Sequence, residues 1–103
     1  MNNEVISTRC FNQDQSWNFE RTTKFTSNTK KFTLKVSICR NAYDNQSFGR
    51  VYMWDGNQWN VVVDVPISEC QCCDVSYVQK GVVASYFMAD HNRLLAEALK
   101  IVD

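Results

Sequence analysis

Two consecutive stretches of this 103-residue chain alternate apolar and polar side chains, and that alternation restricts the fold more than any other feature. In residues 17–25 the apolar side chains, such as Phe19 and Phe25, occupy odd positions, while in residues 31–40 they occupy even positions, as at Ile38. An alternation of period two is typical of a β-strand that buries one face. The two stretches therefore predict two strands that share a core.

The residues between these strands determine how the strands pair. If residues 27–30 form a four-residue hairpin loop, both strands place their apolar side chains on the same face, whereas a slip of one residue would turn one set away. The predicted register on the core face pairs Phe25 with Phe32, Thr23 with Leu34, Arg21 with Val36 and Phe19 with Ile38.

A second hairpin is predicted around Asp55 and Gly56. A four-residue loop at 55–58 matches opposing side chains better than a two-residue turn, which would place Trp54 opposite Asn57. The predicted pairs are Trp54 with Trp59, Tyr52 with Val61, Arg50 with Val63 and Phe48 with Val65.

The remaining elements complete the expected fold. Pro66 ends the second hairpin because proline cannot donate to a strand ladder, and residues 5–11 predict an earlier strand. From about residue 84 to 101 the apolar side chains, Phe87 among them, recur at helical intervals. The expected fold class is α+β: an antiparallel sheet of four to five strands built from two hairpins, packed by one C-terminal amphipathic helix, in a single domain over 1–103.

The chain is neutral overall, but its charge is unevenly distributed. Eleven basic and eleven acidic residues cancel, which excludes a uniformly basic nucleic-acid binder, and a hydrophobic content of 45% argues against disorder. Residues 21–43 nevertheless carry six basic side chains and no acidic one. The first hairpin is therefore a candidate phosphate-binding surface, with Lys24, Lys30, Lys31 and Lys35 as its contacts.

The same lysines have a second interpretation. Lysine on an outer strand also keeps a sheet soluble and unaggregated. No aromatic side chain alternates with the lysines on the polar face of this hairpin, so the sequence does not predict stacking of bases there. The solubility interpretation is slightly favoured.

Cysteine and histidine are the candidate reactive or metal-binding residues. Cys70, Cys72 and Cys73 lie within four residues, as thiolate ligands do, but no second ligand pair completes a tetrahedral site, and packed reduced thiols are favoured. His91 falls on the apolar stripe of the helix, where packing is favoured over pairing with a cysteine nucleophile. Because no phosphate loop or catalytic motif occurs, we expect neither an enzyme nor a cofactor.

Aromatic residues make up 13% of the chain, and the second hairpin carries apolar side chains on both faces. One helix covers only one face of a small sheet, so the surplus needs a second layer, a homodimer partner or a foreign target, unless the sheet curls around it. The segment 40–50 joins the hairpins and is the candidate contact segment. Its expected partner-binding residues are Tyr43, Asp44, Gln46, Phe48 and Arg50.

The first residues, MNNEVIS, have neither the basic nor the apolar region of a secretory signal, and no stretch reaches the roughly 18 apolar residues that span a bilayer. The five cysteines are therefore expected to be reduced thiols. The expected location is the cytoplasm, with no membrane partner.

One resemblance adds to this interpretation. Small proteins of phages and mobile elements, anti-CRISPR proteins among them, are similar in RNAYDNQS at 40–47, GRV at 49–51, WDG at 54–56 and WN at 59–60. The resemblance implies a compact α+β domain that binds a larger protein or ribonucleoprotein complex stoichiometrically, as an inhibitor of host defence does. The sequence therefore predicts a non-enzymatic protein-interaction module, with a nucleic-acid or phosphate-binding domain using hairpin 21–40 as the alternative.

Overall fold

The computed structural model describes residues 2–13, 16–41, 48–66 and 80–102, which form a five-stranded antiparallel sheet packed against one C-terminal helix. The strands lie side by side in chain order, and the α+β arrangement predicted from the sequence is confirmed. The elements are β1 (Asn2–Gln13), β2 (Ser16–Thr26), β3 (Lys31–Asn41), β4 (Phe48–Trp54), β5 (Trp59–Pro66) and α1 (Lys80–Val102).

The first hairpin has the register that the alternation predicts. All four predicted pairs occur between β2 and β3, from Phe25 opposite Phe32 to Phe19 opposite Ile38. The loop between them closes on Ser27, whose backbone N–H donates to the carbonyl of Lys30 at 2.8 Å. The hydroxyl of Ser27 also accepts a hydrogen bond from the backbone N–H of Lys30 at 3.1 Å. The loop therefore satisfies its own backbone groups and holds the register.

The second hairpin follows its predicted register only near the loop. Trp54 opposes Trp59 and Tyr52 opposes Val61, as predicted, but the register then shifts by one residue. The predicted pairs of Arg50 with Val63 and Phe48 with Val65 are wrong, because Val51 opposes Val63, Arg50 opposes Asp64 and Phe48 opposes Pro66. Such a β-bulge inserts one unpaired residue and moves the following side chains to the other face. It brings Val51 and Val63 together on the buried face.

The core lies between the sheet and α1. Phe87, His91, Leu94 and Ala98 are all buried, and their spacing of four, three and four residues forms one stripe along the helix. The ring of Phe87 stacks on Phe19 of β2, with the ring centroids 5.6 Å apart. The other buried hydrophobic side chains come from the sheet: Phe25, Leu34, Val36, Ile38, Val51 and Val63.

The helix begins at Lys80, four residues earlier than predicted, so Asp90 lies inside it rather than capping it. There the carboxylate of Asp90 pairs with Arg93 across one turn, at 3.2 Å. Ile101, predicted to belong to the apolar stripe, is 62% exposed. Within the described residues, no helix combines the length and the apolar character needed to cross a membrane.

Candidate binding surface on the open face of the sheet

The helix packs against one face of the sheet, and we call the other face the open face. Cross-strand partners in an antiparallel sheet point to the same side, so the register identifies the residues of the open face. Lys35 of β3 opposes Tyr52 of β4, and neither belongs to the buried core. From β4 and β5 the open face receives Phe48, Arg50, Tyr52, Trp54, Trp59, Val61 and Asp64.

Four side chains of the open face form what we call the lysine–aromatic cluster: Lys35, Tyr52, Trp54 and Trp59. The ammonium nitrogen of Lys35 lies 4.6 Å from the ring centroid of Trp59 and 5.1 Å from that of Tyr52. The rings of Trp54 and Trp59 are 5.3 Å apart between centroids and tilted by 57°. A cation over aromatic faces at these distances is attracted by the ring quadrupoles. The cluster is thus a preformed polar and aromatic surface, in which Trp54 remains 42% exposed.

The loop 55–58 holds the two tryptophans at its ends. The carboxylate of Asp55 accepts hydrogen bonds from the backbone N–H groups of Asn57 and Gln58 and from the side-chain amide of Asn60, each at 2.8 Å. These hydrogen bonds hold the pKa of Asp55 below its ordinary value, because they favour the charged form. Gly56 adopts a φ of 102°, a backbone conformation that residues other than glycine rarely adopt. The sequence Asp-Gly therefore builds the loop that positions the cluster.

Three of the four predicted phosphate-binding lysines share the open face with the aromatic rings. Lys24 opposes Thr33 and Lys31 opposes Thr26, on the same side of the sheet as Lys35, and both of these outer lysines are exposed. Within the first hairpin itself no aromatic side chain alternates with these lysines. The rings beside Lys35 come instead from β4 and β5, on the other side of β3.

Lys30, the fourth predicted lysine, turns toward the helix. Its ammonium group donates to the backbone carbonyl of Val102 in the last turn of α1, at 3.3 Å. Unpaired carbonyls at a helix C-terminus favour a cation, so this contact stabilises the helix end. Lys30 therefore has a structural contact that the other three lysines do not share.

The segment predicted to contact a partner is described only in part. Tyr43, Asp44 and Gln46 lie outside the described residues. Arg50 lies on the open face, where its Nε donates to the carboxylate of Asp64 at 3.1 Å and its guanidinium lies 4.2 Å from the ring centroid of Phe48. Hydrogen bonding to Tyr52 and then to Asp64 raises the pKa of Arg50 above its ordinary value.

The acidic side chains of the open face have basic neighbours. Besides Asp64, which pairs with Arg50, Glu20 pairs with Arg9 of β1 at 3.6 Å. Glu4 is the register partner of Lys24. Within the described strands, Lys31 and Lys35 have no acidic register partner. They lie at the end of the sheet that carries both hairpin loops, where Asp55 adds one negative charge.

His91 is packed, as predicted, on the helix side of the sheet. It is 4% exposed, its ring meets Phe19 edge-on at 5.9 Å between centroids, and its Nδ1 lies 3.0 Å from the amide oxygen of Asn92. Burial lowers its pKa, and the positive charge of Arg21 acts in the same direction. Burial in the core therefore favours the neutral form of the His91 ring.

The three clustered cysteines Cys70, Cys72 and Cys73 lie outside the described residues. Of the other two, Cys10 opposes Phe19 on the covered face, while Cys39 opposes Phe48 on the open face. Among the residues that the structure describes, no group of three or more histidine, cysteine or acidic side chains is arranged to hold a metal ion.

Comparison with protein-family models, with curated proteins and with solved structures finds no match.

Proposed function

We propose that this protein is a non-enzymatic binding module that holds a larger macromolecule against the open face of its sheet. The observation that supports the proposal is the lysine–aromatic cluster, which lies on the side of the sheet opposite α1. Tryptophan and tyrosine are the side chains that most often anchor interfaces, because they offer a large rigid surface with a polar group. In the described structure, Trp54 and Val61 remain 42% and 53% exposed on this face.

The expected partner is a protein or ribonucleoprotein complex in the cytoplasm, and the proposed action is stoichiometric binding without turnover. A more specific proposal is that this binding inhibits a host defence complex. It rests on the resemblance to phage and mobile-element proteins. A second candidate, a nucleic-acid-binding domain, is favoured by one observation: the lysines of the basic hairpin lie beside aromatic rings.

Affinity capture with two matched double variants tests the binding function. The open-face variant carries Trp54→Ala and Lys31→Glu, which alter an exposed aromatic side chain and an exposed lysine on the open face. The helix variant is the matched control: it carries Ile101→Ala and Lys100→Glu, the corresponding changes at exposed positions of α1. Loss of an anchoring tryptophan costs about 2 kcal/mol or more, so we expect the open-face variant to retain over tenfold less partner from a cell lysate.

The helix variant should retain as much partner as the wild type. Equal retention by the wild type and both variants would exclude the open face as the binding surface. Light scattering of the purified proteins tests self-association. If the wild type and the helix variant are dimeric and the open-face variant is monomeric, a second copy of the chain occupies the open face.

A further inference from the structure

We infer that the ligand of the lysine–aromatic cluster is single-stranded nucleic acid, whose bases stack on Trp54 and Trp59 while its phosphates contact Lys24, Lys31 and Lys35. This inference rests on the proposed function in its second form, a nucleic-acid-binding domain, and names the ligand of the same surface.

The aromatic side chains supply the first argument. Proteins that bind single strands place exposed aromatic rings on a sheet surface, and bases stack on them whatever the sequence, because every base has a π face. Trp54 and Trp59 stand side by side at the end of the open face, with their centroids 5.3 Å apart. Of the two, Trp54 is 42% exposed and offers a face to a base, whereas Trp59 is half-buried and its ring centroid lies 4.6 Å from the ammonium nitrogen of Lys35.

The charges supply the second argument. Lys31 and Lys35 lie four residues apart on the same face of β3, a separation of about 13 Å along the strand. Lys24 lies on the neighbouring strand between them, opposite Thr33. The three lysines therefore lie on neighbouring strands of one face, with Lys35 in contact with the aromatic rings and Glu4 beside Lys24. Such a set of lysines can contact successive phosphates of one strand.

The combination of rings and lysines favours a single strand over the other anionic partners. A duplex presents phosphates but hides the faces of its bases inside the stack, so Trp54 and Trp59 would have nothing to stack on. An acidic protein surface would satisfy the lysines but offers no series of π faces. An unpaired strand matches both parts of the cluster.

Fluorescence anisotropy with labelled oligonucleotides tests the inference. The probes are a 15-nucleotide oligothymidine, the corresponding oligouridine and a duplex of the same length. We expect both single strands to bind at low salt and the duplex to bind about tenfold or more weakly, since it loses the stacking contribution. Three lysine contacts predict that the logarithm of the association constant falls with the logarithm of salt concentration with a slope of about −2.

Variants separate the two parts of the cluster. Lys35→Ala should weaken binding of the single strands and reduce the magnitude of the salt slope by about 0.7, whereas Lys100→Ala, which removes an exposed lysine from α1, should leave both unchanged. Trp54→Ala should weaken binding about 5- to 150-fold with the slope unchanged, and Trp54→Phe, which keeps a ring, should recover most of the affinity.

The inference is overturned if neither single strand binds, if the duplex binds as tightly as the single strands, or if Lys100→Ala weakens binding as much as Lys35→Ala. If no oligonucleotide binds but the open-face double variant still loses a protein from the lysate, the inference fails and the binding function stands. If that variant also captures the same partners as the wild type, the binding function fails as well.

Discussion

The two faces of the sheet are built by the same five strands, but they are stabilised in different ways. On the covered face, side chains such as Leu34 and Val36 are at most 1% exposed and pack against α1. On the open face, Lys35, which stands between them in the chain, lies over the rings of Trp59 and Tyr52 instead. The covered face therefore contributes stability through burial, while the open face leaves side chains such as Trp54 exposed and is the proposed binding surface.

The largest effect is expected on the covered face. Phe87→Ala removes a fully buried ring that stacks on Phe19, and we expect it to lower the free energy of unfolding by about 3–5 kcal/mol. Ile101→Ala, at an exposed position of the same helix, should change it by less than about 0.5 kcal/mol. Urea unfolding followed by circular dichroism measures both. Similar values for the two variants would show that the helix does not form the core.

The covered face should also weaken in acid because of His91. Its pKa in the folded state lies below the ordinary value of 6.5, so below pH 6.5 the unfolded state binds more protons than the folded state. Its stabilising effect is therefore fully present above that pH and is lost as pH falls toward the folded-state pKa. We expect the stability of the wild type to fall between pH 7.5 and 5.5 more steeply than that of His91→Leu. Parallel pH profiles for the two proteins would contradict this prediction.

A smaller effect is expected from the ion pair on the open face. Arg50 and Asp64 are both substantially exposed, and exposed pairs couple by about 0.2–1 kcal/mol. A double-mutant cycle with Arg50→Ala and Asp64→Ala should therefore give a coupling energy in this range that decreases in high salt. A salt-independent coupling above about 2 kcal/mol would mean that this face is as dry as the core.

The smallest effect is expected at the helix end. Lys30→Ala removes the hydrogen bond from the ammonium group to the carbonyl of Val102, an exposed contact, and should lower stability by about 0.3–1 kcal/mol. Binding of single-stranded oligonucleotides should change much less than with Lys35→Ala, since Lys30 turns toward α1. A greater loss of affinity for Lys30→Ala than for Lys35→Ala would place the binding site at the loop rather than on the open face.

How much of the fold could be predicted depended on how strictly each segment alternates. The register of β2 and β3 was predicted in full because each strand has a single apolar face. The sequence does not predict the register shift in β5 because Val61, Val62 and Val63 are identical, and a run of three identical residues does not show which of them faces the core. The sequence predicts a later helix start than the structure has because Gly81, Val82 and Val83 have low helix propensity.

The candidate site was predicted only in its separate parts. The lysines of the first hairpin and the aromatic residues of the second were each identified, but their meeting depends on the pairing of β3 with β4. These strands are joined through residues 42–47, which have no alternation to indicate the register. The alternation within each hairpin shows which residues share a face of that hairpin, but it does not show which residues of β3 lie opposite which residues of β4.

Adjacent positions of β3 provide the most direct test, because Leu34 faces the core and Lys35 faces outward. The measurement is the free energy of unfolding together with the affinity of the folded protein for labelled oligothymidine, for Leu34→Ala and Lys35→Ala. Leu34→Ala should lower stability by about 2–5 kcal/mol and leave the affinity unchanged. Lys35→Ala should lower stability by less than about 1 kcal/mol and weaken binding. Equal destabilisation by both variants, or unchanged binding by Lys35→Ala, would contradict the division of the sheet into a core face and a binding face.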